Sequence, residues 1–192
     1  MQQIQADKQA QLAEIARAIE SDGVTPSLKA GATQLVFGVG NPDAELMFVG
    51  EAPGKKEDLS GEPFVGAAGK FLNEMLASIG LERPDIYISN IVKYRPKDNR
   101  DPTAEEIAEF VPYLNRQIDV IRPKLVVFLG RHALNVYFPD LKISQAHGEP
   151  VENNGQMYLP LFHPAAALYN PRLRQTLIED FSLISAILKT IT

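Results

Sequence analysis

Four times along this chain a short, strand-like apolar run is followed by a segment with helical spacing, and that alternation constrains the fold more than any other feature. The runs are Glu45-Leu46-Met47-Phe48-Val49, Ile86-Tyr87-Ile88-Ser89, Leu125-Val126-Val127-Phe128-Leu129 and Met157 to Phe162. After the first, Phe71, Leu72, Met75, Leu76 and Ile79 share one helical face. After the second, Asp101-Pro102-Thr103 and the acids Glu105 and Glu106 announce a helix from about Thr103 to Ile121. A short helix follows Gly130, and a C-terminal helix ends near Ile191. Strands that alternate with helices pair in parallel, and a parallel sheet needs both faces covered. The predicted fold class is therefore α/β, a single domain with a central four-stranded parallel sheet flanked by helices. An amphipathic helix at 4–20, spaced by Ile4, Leu12, Ile15 and Ile19, precedes a loop-like stretch from Val24 to Pro42, which sets the core at about 36–191.

Composition narrows the chemistry. The chain has 192 residues, 45% hydrophobic and 22% charged, with no repeat or low-complexity tract, which fits one globular domain and argues against disorder. It has no cysteine, so disulfides, thiolate metal sites, cysteine-ligated iron–sulfur clusters and cysteine nucleophiles are all excluded. A net charge of −5 argues against coating nucleic acid by bulk charge but leaves room for a local basic groove. No apolar run approaches the roughly 18 residues that span a bilayer, and the first residues are polar. A cytoplasmic protein with no membrane partner is the expectation.

In open parallel sheets, ligands bind at the carboxyl ends of the strands. That rule selects four loops: Gly50 to Gly69, Asn90 to Arg100, Gly130-Arg131-His132, and His163 to Arg174. The first has five glycines together with Glu51, Glu57, Asp58 and Glu62, and it contains neither GxxxxGK[ST] nor GxGxxG. Carboxylates beside glycine-lined space suit orienting a water or stabilising developing positive charge, though each acid alone also fits a solvated loop residue. Phe64 reads either as a stacking platform for a planar ligand or as a core filler. Asn90 offers an amide able to read the edge of a base, or a strand-end cap. Lys93, Arg95, Lys97 and Arg100, against one acid, Asp98, suggest a phosphate-contacting lip. The fourth loop supplies His163, small residues and two arginines. His132 and His147 read as structural or surface residues.

Four segments, VFGVGNPDAELMFVGEAPGKKEDLSGEPFVGAAGKFL, YISNIVKYRPKDNRDP, RPKLVVFLGRHAL and FHPAAALYNP, together resemble the uracil-DNA glycosylase superfamily, most closely its family-4 type, over about Val36 to Phe181. The resemblance implies hydrolysis of the bond between uracil and deoxyribose in DNA, opening base-excision repair. By motif position it implies that Phe64 stacks on uracil, that Asn90 reads its N3/O4 edge, and that His163 donates to O2. Glu51 would position the water or stabilise the sugar cation, and Glu57 would support it or share that role. The backbone from Gly50 to Gly54 would line the pocket. Gly54 stands where the best-known family of the superfamily has a bulky tyrosine, which leaves thymine exclusion to Phe64 and its neighbours. Leu168, with Tyr169, would wedge into the vacated stack, and Arg95 and Arg172 would contact phosphates. The implied partner is uracil-containing DNA, single- or double-stranded, bound by a monomer.

One departure stands out. Family-4 proteins usually hold a [4Fe–4S] cluster on four cysteines. Here the later pair aligns with Tyr94 and Phe110, and the earlier pair falls in Gly23 to Ser27. No metal or other cofactor is expected, and an apolar cluster around Tyr94, Phe110 and Val24 is predicted to fasten this region instead. Two other readings remain at this level: a catalytically weak or inactive binder of uracil-containing DNA, and an α/β hydrolase of free nucleosides.

Overall fold

A computed structural model describes residues 2–191, with side chains from Gln5 onward, so the predicted core role of Ile4 lies outside the described residues. In chain order the elements are α1 (Gln2–Ser21), α2 (Pro26–Gly31), β1 (Val39–Gly40), β2 (Leu46–Gly50), α3 (Lys55–Ser60), α4 (Ala67–Ser78), β3 (Tyr87–Asn90) and α5 (Ala104–Ile121). They continue with β4 (Leu125–Leu129), α6 (Arg131–Tyr137), α7 (Ile143–Ala146), β5 (Val151–Asn153), β6 (Gln156–Leu161), α8 (Pro164–Ala167), α9 (Pro171–Ser182) and α10 (Ile184–Thr190).

The sheet runs β1-β3-β2-β4-β6-β5. Its four central strands are parallel, as the alternation predicts. The predicted count of four strands is corrected to six, because short antiparallel strands β1 and β5 close the two edges. β5 and β6 form a hairpin through Asn154-Gly155, both at positive φ (51° and 79°), the backbone that an Asn-Gly hairpin turn needs. That signal was available in the sequence, but three residues give too little alternation to mark a strand. Other differences concern helices, among them the short α7 and α8, which the sequence reading did not mark. Part of the stretch read as loop, Val24 to Pro42, is α2, entered through Pro26; the glycine-rich loop contains α3; and the C-terminal helix is divided into α9 and α10.

Alternation along the strands builds two cores. Met47, Val49, Val126, Phe128 and Tyr158 face the layer of α1, α5 and α6. Leu46, Phe48, Leu125, Val127, Leu129, Leu159 and Leu161 face the layer of α4, α9 and α10. Helix α5 begins where predicted, with Thr103 and Glu106 forming a reciprocal capping box.

Val24, Tyr94 and Phe110 do share one buried cluster, and the Tyr94 and Phe110 rings meet edge to face at 6.0 Å. Around them Glu109 accepts the Thr25 N–H at 2.6 Å and Tyr113 donates to Asp22 at 2.7 Å, which joins the Gly23 to Ser27 segment to α5. Two rings and a valine at these positions offer no thiolate to an iron–sulfur cluster, and the chain has no cysteine anywhere. An iron–sulfur cluster does not fit this protein.

Connections leave β2 towards β3 on one side, and then cross to β4 on the other. The reversal falls between the carboxyl ends of β2 and β4, where such folds open a crevice for a ligand.

Candidate active site

Residues from three strand ends and the glycine-rich loop surround a cavity of about 240 Å³. Its walls include Ala52, Gly54, Glu57, Phe64, Asn90 and His163. Phe64 and His163 stack with centroids 5.6 Å apart and planes 28° from parallel. Asn90 ends β3 almost fully buried, and its Oδ1 has no hydrogen-bond partner. A buried acceptor left unpaired costs about 1–3 kcal/mol, so its presence in a cavity wall points to a ligand that donates to it.

Two glycines make this approach possible. At Gly50 a Cβ would collide with Asn90 Oδ1 and stand 2.7 Å from Phe64 Cζ. At Gly69 a Cβ would collide with the Phe64 carbonyl. Phe64 itself sits at φ 55°, uncommon for a bulky residue, and is gripped from both sides. Glu57 Oε1 accepts the N–H groups of Val65 and Gly66 at 2.9 and 2.7 Å. Arg83 donates to the carbonyls of Pro63 and Phe64 at 2.7 and 3.0 Å. Sequence reasoning offered Glu57 as a second carboxylate that supports Glu51 or shares its role; it lines the cavity, and its Oε1 holds the loop that carries Phe64. Arg83 was missed, since it lies in the turn before β3, at the amino end of a strand and away from the carboxyl ends where ligands bind. Asp58 is structural, holding Thr33 at 2.8 Å.

His163 caps α8: the Ala165 N–H donates to its Nδ1 at 3.1 Å. Burial, and next the neighbouring His132, lower its pKa to about 4, against a smaller opposing pull from Glu57. At neutral pH the ring is therefore uncharged, with Nδ1 an acceptor and Nε2–H a donor.

Glu51 does not line this cavity. Its carboxylate stands 3.7 Å from His132 Nε2, and His132 in turn lies 3.2 Å from Asp101, which Arg131 bonds at 3.0 Å. Burial raises the Glu51 pKa and Asp101 pushes the same way, while His132 and Arg131 pull it down. This group occupies the crevice between the ends of β2 and β4. His132, read as structural or surface, thus faces both Glu51 and His163; its place in the loop after β4 was the available clue. His147 is structural as expected, paired with Asp180 at 2.7 Å.

The basic lip needs correction. Lys93 is fully buried, and Arg100 is bound by both carboxylate oxygens of Glu106. Arg95 is half-buried and donates to Asn99 at 2.8 Å, whereas Lys97 and Arg172 are exposed. Arg174 lies over the Phe71 ring at 3.9 Å and pairs with Glu74. At the tip of the fourth loop Leu168 is partly buried against the core and Tyr169 is 90% exposed.

The family model for the uracil DNA glycosylase superfamily matches residues 37–183. The chain belongs to this superfamily. Within it, a type-4 uracil-DNA glycosylase of Archaeoglobus fulgidus is 53% identical over 161 residues, 79% of this chain and 81% of the relative. One from Sulfurisphaera tokodaii is 49% identical over 79% of this chain and 74% of the relative. One from Thermotoga maritima is 41% identical over 82% and 84% respectively. All four segments that carried the resemblance fall within or at the edge of the superfamily match.

Proposed function

We propose that the chain is a uracil-DNA glycosylase that removes a flipped-out uracil from DNA by hydrolysis, acting as a monomer in the cytoplasm on single- or double-stranded DNA. The observation that carries this reading is the unpaired Oδ1 of Asn90 in a cavity roofed by Phe64 and flanked by His163.

A base inside a duplex must leave the stack, at a cost of a few kcal/mol that is least at a U·G mispair. Uracil then stacks on Phe64, its N3–H donates to Asn90 Oδ1, and the Asn90 amide donates to O4. Cytosine presents the reversed donor and acceptor order and leaves both groups unpaired, which costs several kcal/mol and rejects it. Glycosidic cleavage leaves the bonding electron pair on uracil N1, spread over O2 and O4, and an oxocarbenium-like sugar. The neutral His163 Nε2–H donates to O2 as charge accumulates there. Water adds to C1′ opposite the departing base. Glu51, whose pKa burial raises above the ordinary carboxylate value, orients that water and takes its proton. Glu57 is a positioning residue for Phe64, and the Gly50 to Gly54 backbone shapes the pocket. Tyr169 fills the gap left in the stack, and Arg172 with Arg95 holds the phosphates.

The test uses oligonucleotides with one uracil, single-stranded or opposite guanine, treated with alkali after incubation. Strand cleavage at uracil is expected, with losses of about a hundredfold or more in Asn90→Ala and His163→Ala. Glu57→Gln, which keeps an oxygen for Val65 and Gly66, should retain activity that Glu57→Ala loses. Binding without cleavage would instead favour a binder of uracil-containing DNA, and turnover of free deoxyuridine alone would favour a nucleoside hydrolase.

A further inference from the structure

Lys93 has no role in the mechanism above, yet it is completely buried directly behind the residue that meets the base. Its Nζ lies 2.6 Å from Ser89 Oγ, 2.5 Å from the Asn90 carbonyl oxygen and 2.6 Å from Gln117 Oε1. All three partners are uncharged, and Lys93 makes no salt bridge among the described residues. The partners also bear on its protonation. The Asn90 carbonyl and Gln117 Oε1 can only accept. Ser89 has one hydroxyl hydrogen, and its nearest other acceptor is the Phe37 carbonyl at 2.8 Å, to which Gln117 Nε2 also donates at 3.1 Å. An ammonium meets three acceptors with three hydrogens. An amine would need the Ser89 hydroxyl to turn away from the Phe37 carbonyl and donate to Nζ instead. Burial pulls Lys93 well below its ordinary value, and hydrogen bonds from the ammonium to the three oxygens favour the protonated form in opposition to it.

We propose that Lys93 is a positioning residue for base removal: a buried, uncompensated ammonium that fixes Asn90 from behind and stabilises the uracil anion as the glycosidic bond breaks. The proposal rests on Asn90 facing uracil. At neutral pH His163 contributes a dipole but no net charge, whereas the electron pair arriving on N1, O2 and O4 carries a full negative charge. A fixed positive charge without a carboxylate partner, in a medium of low dielectric, acts over several ångströms on that developing anion. The ground state, with neutral uracil, gains far less, so the effect falls on the rate of bond cleavage and leaves substrate binding nearly unchanged.

The test titrates free uracil bound to the full-length protein, following N1 ionisation by its ultraviolet difference spectrum, beside single-turnover rates on uracil-containing DNA. In the wild type, bound uracil should lose its N1 proton at lower pH than uracil in solution. In Lys93→Met the bound-uracil titration should move up by about one pH unit or more and the single-turnover rate fall about tenfold or more, with KM for DNA within about twofold. Gln117→Glu is isosteric, keeps an oxygen for Nζ and cancels the charge, so it should move both readouts the same way even if Lys93→Met fails to fold. Bound uracil that ionises no more readily than free uracil in the wild type overturns the proposal. So does a folded variant with a slowed rate and an unmoved uracil titration, because that pattern describes a structural lysine. Asn90→Ala that still binds uracil with wild-type affinity would instead reject the assignment of Asn90, whatever Lys93 does.

Discussion

His163 joins two properties that follow from one hydrogen bond and its burial: a fixed tautomer and a pKa lowered to about 4. The same depression links acidity to stability. Between about pH 4 and the unfolded value near 6.5 the unfolded chain carries a proton on this residue that the folded chain does not. Stability from this group is therefore complete above about pH 6.5, declines as pH falls through that window, and is fully lost below about pH 4, roughly 3 kcal/mol in all. Thermal melts from pH 7 to pH 4 should show the wild type losing stability more steeply than His163→Asn; parallel curves would contradict it. At this scale the sequence was informative where a residue type is rare in its setting. Asn90 at a strand end, Phe64 in a polar loop and His163 before Pro164 all reach the cavity. Residues that act by holding others were not legible: Glu57 looked like one more acid, Arg83 like a turn residue, and Lys93 like part of a basic surface. Glu57 and Arg83 act through contacts 8 to 20 positions away, and Lys93 joins Ser89 and Asn90, four and three positions back, to Gln117, 24 positions on, which no periodic pattern encodes.

Among the elements, the four parallel strands and α5 were legible because each has a strong period or cap, whereas β1, α2 and α3 are too short to have one. The packing of Tyr94 on Phe110 is the element-level feature with the most direct test. Phe110 is fully buried and ties the Gly23 to Ser27 segment, α5 and the loop after β3 into one cluster. Phe110→Ala should cost about 3–5 kcal/mol, the usual range for emptying a buried phenylalanine site. Chemical denaturation should locate that loss, and a strong chelator should leave the wild-type midpoint unchanged. A chelator-sensitive midpoint would show that a metal does contribute to the fastening.

For the whole molecule, charge arrangement matters more than the total of −5. Lys93, Arg100 and Arg174 look basic in sequence but are buried or bound to acids, so of the basic residues in the segments Asn90 to Arg100 and His163 to Arg174, Lys97 and Arg172 stand exposed without an acid partner among the described residues. Arg172→Ala should weaken binding similarly on all sequences and reduce the slope of log K against log salt by about one. A slope unchanged in that variant would place the phosphate contact elsewhere.

The edges of the sheet have a further consequence. β1 spans two residues and β5 three, and both run antiparallel to the strands they border, so neither edge presents a long ladder of free N–H and C=O groups. A second chain cannot readily extend this sheet by adding a strand, which is how exposed edges seed aggregates and domain-swapped assemblies. Blunted in this way, the sheet can keep its inner parallel strands strongly apolar without becoming a template for polymerisation when the protein is concentrated.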